Sequence, residues 1–194
     1  EHFLETVSFR IGLCMLVLGP LAVASTYGAR NELMHKLRHA VNHDFLTDVL
    51  ARGAFLKRGQ LLLQRCLQNQ ESVAILMLDL DHFKRINDSH GHAGGDELLR
   101  SFSLMLARVL RDQDLIGRLG GEEFAVLMPN TSAEQAAFIG QRLCERIEHH
   151  AWEIEARPVK LTVSVGGASC VGALRELKEL LAEADHALYR AKAE

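Results

Sequence analysis

The order of elements along the 194 residues predicts an α/β sandwich, with helices covering a central sheet that contains antiparallel pairing. Three stretches carry that prediction. Val73-Ala74-Ile75-Leu76-Met77-Leu78 is a continuous apolar run, short enough for a strand buried on both faces. Arg118-Leu119-Gly120-Gly121-Glu122-Glu123-Phe124 sets two glycines and two carboxylates before an apolar stretch, the pattern of a β-hairpin tip. Val159 to Gly166 alternates strictly, as a half-buried strand does. With 48% hydrophobic and 24% charged residues, the chain suits one globular domain of about 150 residues plus an extension. A net charge of -3 gives no global basic field, which argues against nucleic-acid binding as the main task but leaves nucleotides open. The four cysteines, Cys14, Cys66, Cys144 and Cys170, form no C-x-x-C pair and sit in apolar contexts, as in a reducing compartment. The ten histidines include no H-E-x-x-H zinc motif, so surface and loop positions suit most of them.

From the N-terminus, Ile11 to Ala29 carries no charge. A helix over it would reach ~28 Å at ~1.5 Å per residue, about the hydrocarbon thickness of a bilayer, so residues 1–29 are expected to hold a transmembrane segment, with a buried helix as the alternative. Gly19-Pro20 would kink it, and the run exceeds a signal-peptide core. Arg30, Lys36 and Arg38 follow the run, so the positive side is C-terminal and the large domain is expected on the cytoplasmic side of the membrane. The chain starts at Glu1 rather than Met, as expected of a fragment. Residues 30–43 read as a linker helix with Leu33, Leu37, Ala40 and Val41 on one sticky face. His43 to Asp48 is a turn with Thr47 or Asp48 capping the next helix.

A helix over 52–70 is expected to turn Phe55, Leu61, Leu62, Cys66 and Leu67 inward. After the apolar run, Asp79-Leu80-Asp81 puts two carboxylates on one strand face at its carboxyl end, where α/β enzymes hold metals; helix capping is the other reading for Asp81. The backbone amides of His82 and Phe83, opening a helix, suit phosphate oxygens. Asn87 and Asp96 offer the amide and carboxylate that a guanine edge requires, although Asp96 could instead cap the helix carrying Leu98, Phe102, Leu106 and Val109. Adjacent Glu122 and Glu123 repel unless a hard divalent cation lies between them; a hairpin with solvated glutamates is the alternative. Arg111 and Asp114 could bind a phosphate or guanine edge, or be a solvated helix end. Thr131 to Glu134 starts a helix through His149 with Ala137, Leu143 and Ile147 inward. Leu177, Leu180, Leu181, Ala184 and Leu188 form the last helical stripe, and Lys192 continues it, pointing its ammonium back at the sheet.

Gly120-Gly121-Glu122-Glu123-Phe124 closely resembles the signature of the GGDEF family, the bacterial diguanylate cyclases, in its Gly-Gly-Glu-Glu-Phe variant. Further motifs resemble the family's in register over residues 44–192. Asp44, Leu46, Thr47 and Arg52 match its Asp-x-Leu-Thr-Gly-Leu-x-Asn-Arg, with Asp48, Val49 and Ala51 departing from it. Asp79 to Asp88 fills Asp-x-Asp-x-Phe-Lys-x-Ile-Asn-Asp, Gly91 to Asp96 fills Gly-His-x-x-Gly-Asp, and Thr162-x-Ser164-x-Gly166 fits a strand motif.

The resemblance implies a ferredoxin-like core of the kind found in nucleotidyl cyclases and polymerase palms, over a domain of residues 44–194. It implies two Mg²⁺, with Mn²⁺ as a substitute, held by Asp79, Glu122, Glu123 and the Leu80 carbonyl, with Glu123 completing the metal shell or taking the ribose proton. Gly120 and Gly121 shape the hairpin, Asn87 and Asp96 select guanine, and His82, Phe83 and Lys192 hold phosphate. Arg111, Asp114 and Arg142 form a product-binding inhibitory site. The implied reaction condenses two GTP into cyclic di-GMP with release of pyrophosphate in a homodimer. The alternative is a non-catalytic receptor for GTP or cyclic di-GMP, or a dimerisation module, although the acids such a receptor typically loses are all present.

Overall fold

The computed structural model describes residues 30, 34, 36, 37, 39–172 and 175–193. The expected transmembrane run, 11–29, and Cys14 lie outside them; among the described residues no helix is long and apolar enough to cross a membrane. Contacts divide the chain into Glu1–Val41 and Asn42–Glu194. In the first unit every described residue from Arg30 to Val41 is helical, with Met34, Leu37 and Val41 exposed.

The second unit runs β1 (Leu50–Ala51), α1 (Arg52–Gln68), β2 (Ser72–Leu80), α2 (Phe83–Val109), β3 (Leu115–Gly120), β4 (Glu123–Pro129), α3 (Ala133–His149), β5 (Trp152–Ile154), β6 (Arg157–Val159), β7 (Val163–Val171) and α4 (Leu177–Ala191). Five strands form one sheet in the order β1-β3-β4-β2-β7. Its neighbours are antiparallel except β1 with β3. Strands β7-β2-β4-β3 with α2 and α3 as crossovers are the ferredoxin-like arrangement.

The apolar run of β2 is central because both of its faces are covered. Ala74, Leu76, Leu78 and Leu80 pack with Phe124, Val126 and Met128 under α2 and α3. Val73, Ile75 and Met77 pack with Ala125 and Leu127 under α1 and α4. A strand alternating between two cores must be apolar throughout until it reaches a site, and the first polar residue of β2 after Ser72 is Asp79.

Several expected details differ. In α1, Leu63 is buried and Leu61 is 61% exposed, because the helix is in contact along Phe55, Gly59, Leu63 and Cys66. In α3 Leu143 and Ile147 are buried as expected, joined by Ala136 and Gly140, while Ala137 is exposed and the capping box joins Ser132 to Gln135. Thr47 and Asp48 do not cap α1, whose N-cap is Ala51; Leu50 and Ala51 extend as a short edge strand instead. The alternation from Val159 to Gly166 is not one strand: it spans the end of β6, a connection and the start of β7. The β5–β6 hairpin turns at Glu155 and Ala156, both at positive φ, and so lacks the usual glycine or asparagine mark. Helix α2 is interrupted at Gly91 (φ 70°, ψ 170°), which places Asp96 inside a helix rather than at its cap.

Candidate active site

The site gathers where β2, β4 and β7 end together. Asp79 is the last residue of β2 paired with β4, opposite Glu123, and on its other side it faces Ser164 of β7. It is buried, yet its Oδ2 lies 2.8 Å from the Lys192 Nζ at the end of α4. The position of α4 depends on Gly166: a Cβ there would come within 2.6 Å of the Leu188 Cα, so the helix backbone rests directly on β7. That close seat brings Lys192 over the strand ends.

Glu122 and Glu123 are both half-buried beside Asp79. The Glu122 carbonyl accepts from the Leu80 amide at 3.4 Å, joining the hairpin tip to the end of β2. Burial, then the Asp79 and Asp185 carboxylates, push the Glu123 carboxyl above its usual range, with Glu122 adding and Lys192 opposing. Asp79, Glu122, Glu123 and Asp185 therefore crowd about one ammonium. This excess of oxygen donors fits a hard divalent cation such as Mg²⁺, with Asp79, Glu122 and Glu123 as the residues that would hold it.

The tip is held from the other side by Arg118. Its Nε donates to the Gly121 carbonyl at 2.9 Å and its Nη1 to Asp44 Oδ1 at 3.0 Å. The same Asp44 oxygen accepts from the Thr47 amide at 3.0 Å and hydroxyl at 2.7 Å. Burial opposes the Asp44 charge, but the bonds from Thr47 and Arg118 outweigh it and hold the carboxyl below its usual range. Arg52 donates to the Leu119 carbonyl at 3.4 Å. The motif residues Asp44, Thr47 and Arg52 thus serve as struts of the hairpin.

A cleft of about 400 Å³ is lined by Asp79, Asp81, His82, Thr162, Ser164, Ala191 and Lys192. Asp81 does not cap α2: the N-cap is His82, in the left-handed region at φ 57° and without a side-chain cap bond. Phe83 opens the helix, and its side chain is buried. Asn87 and Asp96 are half-buried on the two halves of α2. A Cβ at Gly95 would meet the Asn87 side chain, so the bare backbone at Gly95 brings Asn87 alongside the residue before Asp96.

Arg111, Asp114 and Arg142 come together away from this cleft, around a smaller one of about 70 Å³ that Val109, Leu110 and Ile139 also line. Asp114 Oδ2 accepts from the Arg111 amide at 2.9 Å, while its Oδ1 is buried without a partner. Burial pushes the Asp114 carboxyl up, against the Arg111 amide bond and charge. An orphaned buried carboxylate oxygen beside two arginines leaves an acceptor for a donor-bearing ligand.

Two features of the site had no clear sign in the sequence. Asp185 is one of several polar residues on the exposed side of the last helix and gains meaning only from Glu123. The Arg118 bracket joins residues whose proximity the topology alone provides; the arginine two residues before the glycine pair was its one local signal.

The described geometry is that of a nucleotidyl-cyclase palm, with carboxylates at the ends of β2 and β4 and a helix N-terminus beside them. The family model for the diguanylate cyclase GGDEF domain matches residues 41–194, and the chain belongs to that family. It is 30% identical over 192 residues to a probable diguanylate cyclase, DgcF of Escherichia coli K12, covering 97% of this chain and 60% of the relative. It is 37% identical over 166 residues to the cyclic di-GMP phosphodiesterase NbdA of Pseudomonas aeruginosa, covering 84% of this chain and 21% of that protein. The crystal structure of the coiled coil and GGDEF domain of DgcB from Caulobacter crescentus, in complex with c-di-GMP, is similar with a TM-score of 0.81 and 25% identity, over 90% of this chain and 93% of that one. The chain thus spans 60% and 21% of the full length of these two curated relatives.

Proposed function

We propose that this chain is a diguanylate cyclase that condenses two GTP into cyclic di-GMP as a homodimer. The observation that carries the reading is the cross-strand pair of Asp79 and Glu123 with Glu122 beside it and Lys192 on Asp79: acids where metal is needed, with an ammonium placed for phosphate. Asn87 and Asp96 bind the guanine edge, the amide donating to O6 or N3 and the carboxylate accepting from N1 and N2. The amides of His82 and Phe83 and the Lys192 ammonium bind phosphate oxygens. Two Mg²⁺ held by Asp79, Glu122, Glu123 and the Leu80 carbonyl would, when bound, offset the charge of the triphosphate.

In each half-reaction a ribose 3′-oxygen bonds to the α-phosphorus of the facing GTP. The bond from that phosphorus to the bridging β-phosphate oxygen breaks, and pyrophosphate leaves with its electron pair. Glu123 either completes the metal shell or accepts the proton of the 3′-hydroxyl. Product binds back at Arg111, Asp114 and Arg142, where the unpartnered Asp114 oxygen can accept from a guanine and the arginines can donate to phosphate oxygens or to N7. Residues 11–29 anchor the chain in the bacterial inner membrane, with 44–194 in the cytoplasm.

Chromatography of the products after incubation with GTP and Mg²⁺ tests the reading. Cyclic di-GMP and pyrophosphate are expected; GTP binding without turnover would instead make the chain a receptor. Recovery of the chain in the soluble fraction of a bacterial lysate would overturn the anchor.

A further inference from the structure

The two acids of Asp79-Leu80-Asp81 have separate surroundings. Asp79 faces Glu123 and Lys192. Asp81 lies just past the end of β2 and turns to β7, its Oδ2 accepting from the Thr162 hydroxyl at 2.7 Å and its Oδ1 from the Ser164 hydroxyl at 2.6 Å. The Asp81 amide donates to the Thr162 carbonyl at 3.0 Å. One residue therefore ties the end of β2 to the start of β7 through three hydrogen bonds.

The next residue is His82, held at φ 57° with no side-chain bond of its own to α2. For a residue other than glycine that conformation is strained, and it persists only where neighbours over-determine it. On one side of His82 stands the Asp81 clasp; on the other, its carbonyl accepts from the Arg85 amide at 2.8 Å. The amides that open α2 precede the first intrahelical bonds, so their direction is set by this turn. Asp81, His82, Thr162 and Ser164 line the same cleft as Asp79 and Lys192.

We propose that Asp81 is a positioning residue for the triphosphate: clasped by Thr162 and Ser164, it fixes the His82 turn and so aims the first amides of α2 at the phosphates, without itself being a ligand of the metal. The inference rests on the GTP site proposed above and adds to it the hydroxyl pair of β7. A side-chain amide at position 81 can still accept from one hydroxyl and donate to the other oxygen, whereas alanine can do neither. Asp81→Asn should thus keep the clasp and Asp81→Ala should lose it.

The test compares the full chain with Asp81→Ala, Asp81→Asn and the double substitution Thr162→Val/Ser164→Ala. The measurements are the Kd for GTP by calorimetry, KM and kcat for turnover, the Mg²⁺ concentration at half-maximal rate, and Tm. Asp81→Ala and the double variant should each weaken GTP about tenfold in Kd and KM, as loss of an outer-shell orienting partner does. Combining them should add little, because they remove the same clasp. Asp81→Asn should recover most of the affinity, and the Mg²⁺ requirement should stay at the wild-type value throughout. A raised Mg²⁺ requirement in Asp81→Asn would make Asp81 a metal ligand and overturn the proposal. A lowered Tm with unchanged GTP affinity would reduce the clasp to strand closure and overturn it too. Should Asp81→Ala not fold, the hydroxyl double variant carries the same comparison. A wild-type chain that binds GTP without making product refutes the cyclase reading while the Kd series still decides the clasp; one that does not bind GTP refutes both.

Discussion

Removing one carboxylate or one guanidinium separates the functions of the residues around the hairpin. Replacing both Glu122 and Glu123 by alanine should lower product formation by at least about 100-fold, as loss of transition-state charge stabilisation does, while circular dichroism stays that of the folded protein because Glu122 lies in the hairpin turn and Glu123 is the first residue of β4. Retained turnover would sink the assignment. The raised Glu123 carboxyl gives that site a pH signature. Without a cation the folded state favours its protonated form, so its contribution to stability is present below the ordinary value of 4.5 and is lost as pH rises through the raised folded value. Mg²⁺ needs the ionised form, so the Tm gained on adding Mg²⁺ and lost on chelation should grow as pH rises through the raised folded value; a gain independent of pH would place the cation elsewhere. Asp44 has the opposite sign. Its lowered carboxyl contributes stability above the ordinary value of 3.8, and that contribution is lost as pH falls through the lower folded value. Arg118→Ala should therefore cost about 2 kcal/mol at neutral pH, the range for charged hydrogen bonds, and less in acid. A denaturation series showing the same cost at both pH values would count against the Asp44 bracket.

At the scale of elements, the seat of α4 on β7 and the place of the small cleft between α2, β3 and α3 decide what each substitution reaches. Gly166→Ala puts a methyl group into the backbone of α4 at Leu188, which has no side chain to swing aside. Overpacking of this kind costs about 1–3 kcal/mol. Because Lys192 ends the same helix, KM for GTP should rise along with the loss of Tm; normal KM in a destabilised variant would show that Lys192 is not on phosphate. Arg111 belongs to the turn after α2, away from the Asp79 cleft. Arg111→Ala should leave the initial rate as it is and abolish the slowing as product accumulates; equal slowing in mutant and wild type would remove the inhibitory site. The elements bearing the site were legible in the sequence wherever one local pattern decided them: β2 from its unbroken apolar run, the hairpin from its glycine pair, and α4 from a stripe that Lys192 continues. What was not legible depends on partners distant in sequence. Leu61 and Leu62 compete with Leu63 for the inner face of α1, and only the presence of Gly59 against Leu177 settles the rotation. The β5–β6 hairpin is short, turns without glycine, and is held by Trp152, whose indole donates to the Ile147 carbonyl at 2.7 Å and packs 6.3 Å from Phe102. Those contacts exist only once α2 and α3 are assembled.

The proposed reaction is bimolecular in protein as well as in GTP. Each domain has one set of acids at Asp79, Glu122 and Glu123, so on that proposal the 3′-oxygen attacking the α-phosphate of a second GTP would come from a second domain facing the first. Turnover is therefore governed by how often two domains meet, which a tether raises by supplying an effective concentration in the millimolar range for short linkers. Among the described helical residues before Asn42, Met34, Leu37 and Val41 are 43%, 52% and 76% exposed and spaced for one face, apolar surface that a second copy would cover if this stretch is the proposed tether. A soluble chain starting at His43 should consequently be weakly active when dilute, and its specific activity should rise with protein concentration. Fusing a dimeric coiled coil in front of it should restore activity at low concentration. The rescue should recur only in some helical registers, because each residue added rotates the domain by roughly 100° about the helix and turns the two GTP sites toward or away from each other. Specific activity that does not change with concentration, in a protein that light scattering shows to be monomeric, would refute the tether and the facing-domain mechanism together. Activity restored equally in every register would keep the tether and reject a fixed orientation of the domains.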